Sequence, residues 1–534
     1  MADSGAKVVI IGAGPNGLVA ACYLARAGLA PLVLERREIV GGAAITEELH
    51  PGFRCPTLAH LAGGLSPGIV ADLNLRKHGL ALETPAVRVF APDLNGRALH
   101  IYEDPARTVE ALKQLSVSDA SSYPRFLESF ARIGAVLAPL MTMTPPDIDN
   151  PRAGAFWDFG KLGLRFRGLS KKDAFRLLRW APMPVADLAE EWFSTELLRA
   201  TIQARALRGA FAGPRSAGTG LGLLFEAATS GGHAISPATF AKGGMGAVTQ
   251  ALRQAAEEAG VEIRTDADVR RVRVENNRAT GVVLASGEEI TALGVVSNAD
   301  PRHTFLGLVD PEDLDPDFLV KIGNYRCRGS AAKVHLALSG LPAFDAANPA
   351  DGTESLSGRI HIGPETDYLE RAFDAAKYGD YSPNPFMEVT IPSITDPTLA
   401  PAGAHVMSCF VQHAPYDLKS GDWDSRREEF GDVVVDTLSR YAPGIGELIV
   451  HRQVVTPLDL ERTYGLSGGH IFHGEPSLDQ MFTFRPILGW ARYRTPIDGL
   501  YLCGAGTHPG GGVTGLSGLN ASREIVTDLK KEKS

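Results

Sequence analysis

A glycine-rich turn near the start of the chain combines residue types that allow a backbone to bind phosphate. Gly12, Gly14 and Gly17 have the spacing G-x-G-x-x-G and directly follow a buried run, Val8–Ile11. The first glycine permits a tight turn, the second lets the backbone approach a pyrophosphate, and the third allows helix and strand to pack closely. The free N–H groups and positive dipole end of the following helix favour bound phosphates. The spacing therefore predicts a dinucleotide site.

An acidic residue and two further glycines extend this motif. Glu35 lies 23 positions after Gly12, at the end of a second strand predicted for Leu32–Glu35. A carboxylate there accepts hydrogen bonds from a ribose diol and disfavours a 2′-phosphate. Gly41 and Gly42 follow in a loop where backbone can pass close to a ligand, although a flexible turn would contain the same residues.

A second glycine-rich stretch lies near the other end of the chain, with seven glycines between positions 504 and 518. It is placed between a predicted strand, 500–503, and a predicted terminal helix. This is more glycine than an ordinary connection between a strand and a helix needs, which favours close approach to a ligand. A reduced flavin is negatively charged at its N1/O2 edge, and a helix N-terminus stabilises such charge.

The elements that must position these loops follow from hydrophobic patterning. Residues 7–35 predict a strand–helix–strand unit that ends its helix near Gly28, and residues from about 60 to 230 predict mainly helices. A helix is predicted for 246–259, followed by strands at 261–263, 269–274 and 280–284, and a second sheet is predicted from 331–339, 386–391 and 405–412. Because the nucleotide-binding pattern begins at one terminus and finishes at the other, the intervening chain must be inserted into it.

Composition narrows the function classes. The chain has 534 residues, 44% apolar and 22% charged, with a formal net charge of −9. This is an ordinary globular composition, and an acidic chain is a poor nucleic-acid binder. Its five cysteines have no close spacing, which disfavours a dithiol redox site and a structural zinc site. We see no signal peptide, transit peptide or apolar span, and therefore expect a cytoplasmic protein.

Taken together, these motifs resemble the FAD-dependent phytoene desaturase-related oxidoreductases, and particularly the pyridine nucleotide-disulfide oxidoreductase domain-containing protein 2 group. Besides both glycine loops, the matching segments are RREIVGGAAITEELHPGF (36–53), KGGMGAV (242–248), VVSNADP (295–301), SLDQ (477–480), RP (485–486) and YLCGAGTHPGGG (501–512). The resemblance covers essentially the whole chain. It implies an α/β fold with a doubly wound, Rossmann-like FAD-binding domain from 1–75, 235–310 and 485–534. An α+β substrate domain from 76–234 and 311–484 would be inserted into it.

The same resemblance implies the FAD contacts, with Val269 acting through its backbone. The expected residues are Gly12, Gly14, Pro15, Asn16, Gly17, Glu35, Arg36, Gly41, Gly42, Ala43, Val269, Gly504, Ala505, Val513 and Thr514. The absence of a close cysteine pair contradicts the disulfide part of the group's name. The second G-x-G-like run, Gly243–Gly246, does not follow a buried strand, so we expect no separate NAD(P)H domain. The electron acceptor would then be oxygen, a quinone or another protein.

The residues that could act on a substrate are less clearly marked. His473, Arg485 and His508 precede or lie within the final glycine loop. One hypothesis is that they face the flavin and orient or polarise the substrate; the alternative is a structural network at the domain junction. His470 and His473 lack a third ligand nearby in the sequence, so we predict no metal site.

A basic segment, KLGLRFRGLSKKDAFRLLRW (161–180), has two interpretations. It could contact a membrane surface or a partner, or it could be a solvated helix that packs Phe175 and Leu178 inward.

The function expected from all of this is FAD-dependent oxidation of a largely apolar, carotenoid- or lipid-like small molecule at a CH–CH group, by hydride transfer to flavin N5. The alternatives are a flavin amine oxidase and a flavin-bound regulatory or partner-binding protein with little turnover.

Overall fold

A five-stranded parallel sheet, here called the parallel sheet, is built from both ends of the chain. The computed structural model describes residues 7–147, 160, 163–348, 350 and 352–531. The strands of the parallel sheet, in spatial order, are Leu500–Leu502, Gly294–Ser297, Val8–Ile11, Pro31–Leu34 and Glu262–Arg264. All neighbouring strands run parallel. Val8–Ile11 is central and buried at every position, which explains its uninterrupted apolar sequence.

Helices and a small sheet cover the two faces of the parallel sheet. Pro15–Arg26, Met245–Glu258 and Leu516–Lys531 pack against one face in a shared hydrophobic core. The other face is covered by an antiparallel sheet of Val269–Glu275, Arg278–Leu284 and Glu289–Thr291 and by the helix Pro316–Gly323. The predicted strand–helix–strand unit and the predicted elements between 246 and 284 are confirmed to within about two residues.

A seven-stranded sheet, here called the mixed sheet, is the centre of the second part of the fold. Its strands, in spatial order, are Ile449–Val455, Ala331–Leu338, His405–Gln412, Met387–Thr390, Arg359–Ile362, Val87–Pro92 and Ala98–Tyr102. Arg359–Ile362 and Val87–Pro92 pair in parallel, and the other neighbours are antiparallel. The helix Trp423–Ser439 shares one hydrophobic core with this sheet, and the helices Val117–Met141, Glu196–Ala206 and Gly220–Thr229 share another.

Every strand of the parallel sheet lies within 1–75, 235–310 and 485–534, and every strand of the mixed sheet lies within 76–234 and 311–484. The division of the chain into two domains at these boundaries stays our proposal. Short strand pairs connect the layers, at Thr46–His50 with Phe53–Pro56 and at Leu82–Glu83 with Phe240–Ala241. Further α-helices in the described part of the chain include Pro67–Asp72, Pro105–Lys113, Lys171–Trp180, Val185–Glu190, Pro301–His303, Thr366–Lys377, Ile445–Leu448 and Pro457–Tyr464, and residues 163–167 are also helical.

The expectation of mainly helical structure from 60 to 230 is wrong at its beginning. Val87–Pro92 and Ala98–Tyr102 form a hairpin whose strands join the edge of the mixed sheet. Asn95-Gly96 lies in the turn between two runs rich in valine, isoleucine and aromatic residues, which is a sequence signal for a hairpin.

The structure also contradicts one of the two interpretations of the basic segment. Lys161 and Leu162 lie outside the described residues. In the helix Lys171–Trp180, Phe175 is 62% exposed and Leu178 is 65% exposed, so the expectation that they pack inward is wrong. Trp180 and Asp173 are the buried residues of this helix, and Leu164 just before it is 68% exposed. Among the described residues, no helix has both the length and the apolar character needed to cross a membrane.

Candidate active site

The first glycine loop joins the central strand of the parallel sheet to a helix whose N-terminus is open. Helix Pro15–Arg26 starts after Gly14, and no side chain caps its first turn. A Cβ atom on Gly14 would lie 2.8 Å from Asn298 Nδ2, and one on Gly17 would clash with the Gly12 carbonyl oxygen. The first-turn N–H groups are therefore available to an anionic ligand, and the motif glycines keep the backbone close-packed around them.

A deep cleft begins at this helix end and runs toward the mixed sheet, with about 1730 Å³ of empty volume including its mouth. Most of the residues predicted to contact the cofactor line it: Gly12, Gly14, Pro15, Asn16, Glu35, Arg36, Gly42, Ala43, Val269, Ala505 and Val513. Gly17, Gly41 and Gly504 lie behind its wall. The Gly41 N–H donates to the Ala13 carbonyl at 3.0 Å, and a Cβ on Gly504 would lie 2.6 Å from the Asn298 carbonyl oxygen. These three glycines shape the loops that surround the cleft.

Glu35 connects the glycine loop to the second strand of the parallel sheet. Its Oε2 accepts a hydrogen bond from the Ala13 N–H at 2.8 Å, and its Oε1 accepts one from the Arg37 N–H at 3.1 Å. The residue is 7% exposed and lines the cleft. Each carboxylate oxygen keeps a lone pair, so the group can also accept hydrogen bonds from a ribose diol.

A second cavity of about 970 Å³ adjoins the cleft at the C-terminal glycine loop. The two spaces share Leu61, Arg208, Phe472, Gly511 and Gly512. Thr514, another predicted cofactor contact, lines this second cavity. Its apolar side chains include Leu221, Phe225, Pro237, Pro476 and Met481. A ligand in the second cavity would therefore be separated from a ligand in the cleft only by shared walls of glycine, leucine, phenylalanine and arginine.

A group of buried and partly buried charged residues, here called the charged cluster, lies where the two spaces meet. It consists of His60, Arg205, Arg208, Glu226, Lys333, Arg359 and Glu388. Arg205 forms ion pairs with Glu226 at 2.9 Å and with Glu388. His60 Nε2 lies 2.9 Å from Glu388 Oε1, and Lys333 Nζ lies 3.3 Å from His60 Nδ1. This chain of contacts connects the cleft, at Lys333, with the second cavity, at Glu226.

The environment of the charged cluster sets its protonation. Burial alone would raise the pKa of Glu226, but Arg205 and Arg208 outweigh it and lower that pKa to about 2. For Glu388, Arg205 and His60 outweigh burial in the same way and hold the pKa well below its usual range. Burial, assisted by the Lys333 charge, lowers the pKa of His60 to about 4, and burial lowers the pKa of Lys333 to about 8. Near neutral pH both carboxylates are ionised and the imidazole is neutral.

Comparison with known proteins identifies this arrangement. A family model described as "Flavin containing amine oxidoreductase" matches residues 191–526, and one described as "NAD(P)-binding Rossmann-like domain" matches residues 10–71. The chain belongs to the flavin containing amine oxidoreductase family. It is 39% identical to the "Pyridine nucleotide-disulfide oxidoreductase domain-containing protein 2" of Rattus norvegicus, over 98% of this chain and 93% of that protein. It is 27% identical to the "Phytoene desaturase (neurosporene-forming)" of Cereibacter sphaeroides, over 98% and 94% of the two chains.

Among solved structures, putrescine oxidase, in its wild-type form bound to putrescine, has a TM-score of 0.62 at 16% identity and covers 99% of both chains. This likeness places the chain in the same fold. The protein is thus a flavin-containing oxidoreductase with the Rossmann-like fold that its glycine motifs predicted, and its cofactor is FAD.

The residues of the cleft fit FAD. The uncapped helix end and Gly14 suit the pyrophosphate, and Glu35 suits the adenosine ribose. Two buried polar atoms in the cleft residues, Asn16 Oδ1 and Arg37 Nη1, have no hydrogen-bond partner within the described structure. Buried polar groups are nearly always satisfied, so these atoms indicate a polar ligand.

Of the predicted catalytic residues, His473 is the one that lines the cleft. Its backbone φ is +58°, an uncommon value for a side chain of this size, and its Nδ1 is buried without a partner among the described residues. Tyr325 Oη donates to the His473 carbonyl at 2.9 Å and fixes this turn. Burial lowers the pKa of His473, which favours the neutral imidazole.

Arg485 and His508 are committed to structural contacts. The Arg485 guanidinium borders the second cavity, but its nitrogens donate to the carbonyl oxygens of Phe472, Gly474, Glu475, Gln480 and Ala505 at 2.7 to 3.3 Å. His508 Nε2 lies 2.7 Å from the Leu140 carbonyl oxygen, and its ring packs edge-on against Phe482. These contacts favour the structural interpretation of both residues, in which they fix the loops around the cleft.

The histidines and cysteines were also compared with the arrangement that a metal ion needs. There, no group of three or more histidine, cysteine, aspartate or glutamate side chains could hold a metal ion. His470 Nε2 lies 3.0 Å from the Gly209 carbonyl oxygen, and its Nδ1 accepts hydrogen bonds from the N–H groups of Phe472 and Gly474, so both ring nitrogens of His470 have protein partners. All five cysteines are free and buried.

The charged cluster was not predicted from the sequence. A lysine in the strand Ala331–Leu338, where every residue is buried, was one available signal, because an unpaired lysine is rarely buried. Arg205 and Arg208, among alanines and a leucine in the sequence ARALRGA, were another.

Proposed function

We propose that the protein is a dehydrogenase that oxidises a largely apolar, carotenoid- or lipid-like molecule at a CH–CH group. The observation that carries this proposal is the second cavity, whose apolar side chains adjoin the cleft through Gly511 and Gly512. When bound, FAD supplies the acceptor for a hydride from a substrate C–H bond. Such a reaction depends on alignment and on exclusion of water.

The chain's own residues provide both. Leu61 and Phe472 give the contact between the two spaces an apolar surface, which disfavours water there. Gly511 lets the backbone approach closely, because a Cβ there would clash with the Phe472 ring. Lys333 Nζ, with its pKa lowered to about 8 by burial, can hold or release a proton near neutral pH, and His60 Nδ1 lies 3.3 Å away. The cleft therefore has a proton-exchanging group beside a hydrophobic contact.

Amine oxidation is the second candidate function. The family model and the fold shared with putrescine oxidase favour it. The charged cluster opposes it, since three guanidinium groups near two carboxylates repel a protonated amine. A flavin-bound regulatory protein with little turnover is the third, and it would share the cleft but leave its flavin oxidised with every substrate.

Anaerobic flavin reduction separates these functions. The purified holoprotein is mixed without oxygen with a carotenoid and lipid extract, and separately with a panel of aliphatic amines, while the visible spectrum is recorded. We expect the flavin to bleach with a fraction of the extract and not with amines. Bleaching by amines alone would replace the proposal with amine oxidation, and a flavin that neither set bleaches would favour the regulatory protein. Admitting oxygen or adding a soluble quinone to the reduced protein then tests the acceptor.

We also propose that the segment 163–180 contacts an anionic membrane surface, where an apolar substrate would dissolve. Phe175, Leu178 and Leu164 are more than 60% exposed, and Arg165, Arg167, Lys171 and Lys172 lie in the same segment. Exposed apolar side chains with adjacent basic ones are typical of interfacial helices.

A further inference from the structure

Arg208 differs from the other arginines of the charged cluster because its charge has no partner. It follows the helix Glu196–Ala206 and lines both the cleft and the second cavity. Its guanidinium forms no hydrogen bond and no ion pair with any residue in the described part of the chain. Arginine donates through five N–H groups, so a guanidinium in this position has its full binding capacity available.

The neighbouring carboxylates cannot serve as its partners because other groups occupy them. Glu226 pairs with Arg205 and accepts hydrogen bonds from Ser236, and Glu388 contacts Arg205, His60 and, at 4.0 Å, Arg359. The three guanidinium groups therefore outnumber the two carboxylates. The excess positive charge lies in a confined space, where an uncompensated charge is costly.

We propose that the second cavity binds a substrate with a carboxylate at one end of an apolar chain, and that Arg208 recognises this carboxylate. The proposal rests on the proposed function, because it places the substrate beside the flavin. A guanidinium matches a carboxylate through two parallel hydrogen bonds. The apolar part of the substrate would lie against Leu221, Phe225 and Met481, which line the same cavity. The phosphates of FAD bind elsewhere, at the open helix end beside Gly14.

The experiment compares decanoate with decanamide, which has the same shape and no charge. Binding to the holoprotein is measured by flavin difference absorbance and by thermal shift, and the thermal shift is repeated after FAD removal. We expect decanoate to bind about 10- to 100-fold more tightly than decanamide, as for one charge-assisted bidentate contact. Arg208→Met should remove this preference and keep its FAD. Arg440→Met is the control, because Arg440 is exposed and lies outside both cavities.

Equal binding of the two probes by the wild-type protein would overturn the proposal, even if Arg208→Met does not fold. A preference that survives in Arg208→Met would also overturn it. The proposal would also be overturned if Arg208→Met changed the flavin midpoint potential and left the preference for decanoate unchanged, since Arg208 would then act on the flavin. Failure of the proposed function would give a different result. The wild-type protein would then prefer the carboxylate, Arg208→Met would lose that preference, and no C–H substrate would reduce the flavin. This combination would support the carboxylate site and contradict the dehydrogenase function.

Discussion

Replacing Gly14 with valine tests the assignment of the cofactor site. Gly14 has an extended backbone, with φ −69° and ψ 170°, which valine adopts without strain. Any effect therefore comes from the space that the side chain occupies. Its Cβ would lie 2.8 Å from Asn298 Nδ2 and 4.0 Å from the Gly42 Cα.

The size of the effect follows from these contacts. Moving the Asn298 amide, which donates to the Gly12 carbonyl at 3.4 Å, costs about 1 kcal/mol. The two γ-methyl groups of valine would then cover the first-turn N–H groups of the helix. Losing two charge-assisted hydrogen bonds to phosphate, at about 1.5–3 kcal/mol each, weakens FAD binding by about 3–6 kcal/mol. This corresponds to about two to four orders of magnitude in Kd.

The assay is the FAD content after gel filtration, followed by titration of the apoprotein with FAD. We expect Gly14→Val to elute without flavin and Gly14→Ala, which adds only the Cβ, to keep part of it. Gly323→Val is the control, because Gly323 is exposed and has open space around its Cβ position. A Gly14→Val protein that is folded by circular dichroism and retains one FAD per chain would refute the phosphate-loop assignment.

Three further predictions concern other parts of the structure. His508→Leu should lower the free energy of unfolding by about 1–3 kcal/mol, because it removes the donor of a buried hydrogen bond to the Leu140 carbonyl, while the rate of flavin reduction should change less than about threefold. A loss of rate at unchanged stability would show a direct role for His508. Burial lowers the pKa of Lys333 from 10.5 to about 8, so the unfolded chain binds more protons than the folded protein between these pH values. The buried charge of Lys333 therefore reduces the free energy of unfolding by about 3 kcal/mol below pH 8, and this loss disappears as the pH rises to 10.5. The free energy of unfolding of Lys333→Met minus that of the wild type should therefore shrink from pH 7.5 to pH 9.5, and a constant difference would contradict the lowered pKa. Phe175→Ser with Leu178→Ser should abolish co-sedimentation with vesicles containing phosphatidylserine at unchanged stability, and neutral phosphatidylcholine vesicles provide the comparison.

Local sequence determines how much of this structure can be predicted. The unit from Val8 to Leu34 is recognisable because its strand, turn and helix signals are adjacent, and because parallel strands buried on both faces have uninterrupted apolar sequences. The cofactor cleft follows from the same local signals, since backbone groups and a helix end bind the phosphates. The hairpin at Val87–Pro92 was missed although it had a turn signal, because its strands lie between helices and pair with a strand more than 250 positions away, Arg359–Ile362.

The charged cluster could not be predicted either, and the reason differs from that for the hairpin. Its members come from two loop segments, two helices and three strands, and the distance between Arg205 and Glu388 in the sequence is 183 residues. Each of these residues is ordinary in its own segment and becomes unusual only when the fold buries it beside the others.

Burial also explains why the cluster constrains function more strongly than the glycine loops do. Glycine loops bind the cofactor through backbone groups that many flavin proteins could supply, so they identify FAD and leave the substrate open. Buried charges, in contrast, are tolerated only when their partners are present, and the ion pairs of Arg205 fix the positions of Glu226 and Glu388. This fixed frame leaves Arg208 as the charge without a partner, directed at the space between cleft and cavity. A cavity that combines apolar side chains, a neutralising set of ion pairs and one unpaired guanidinium selects for molecules that are apolar along most of their length and anionic at one end.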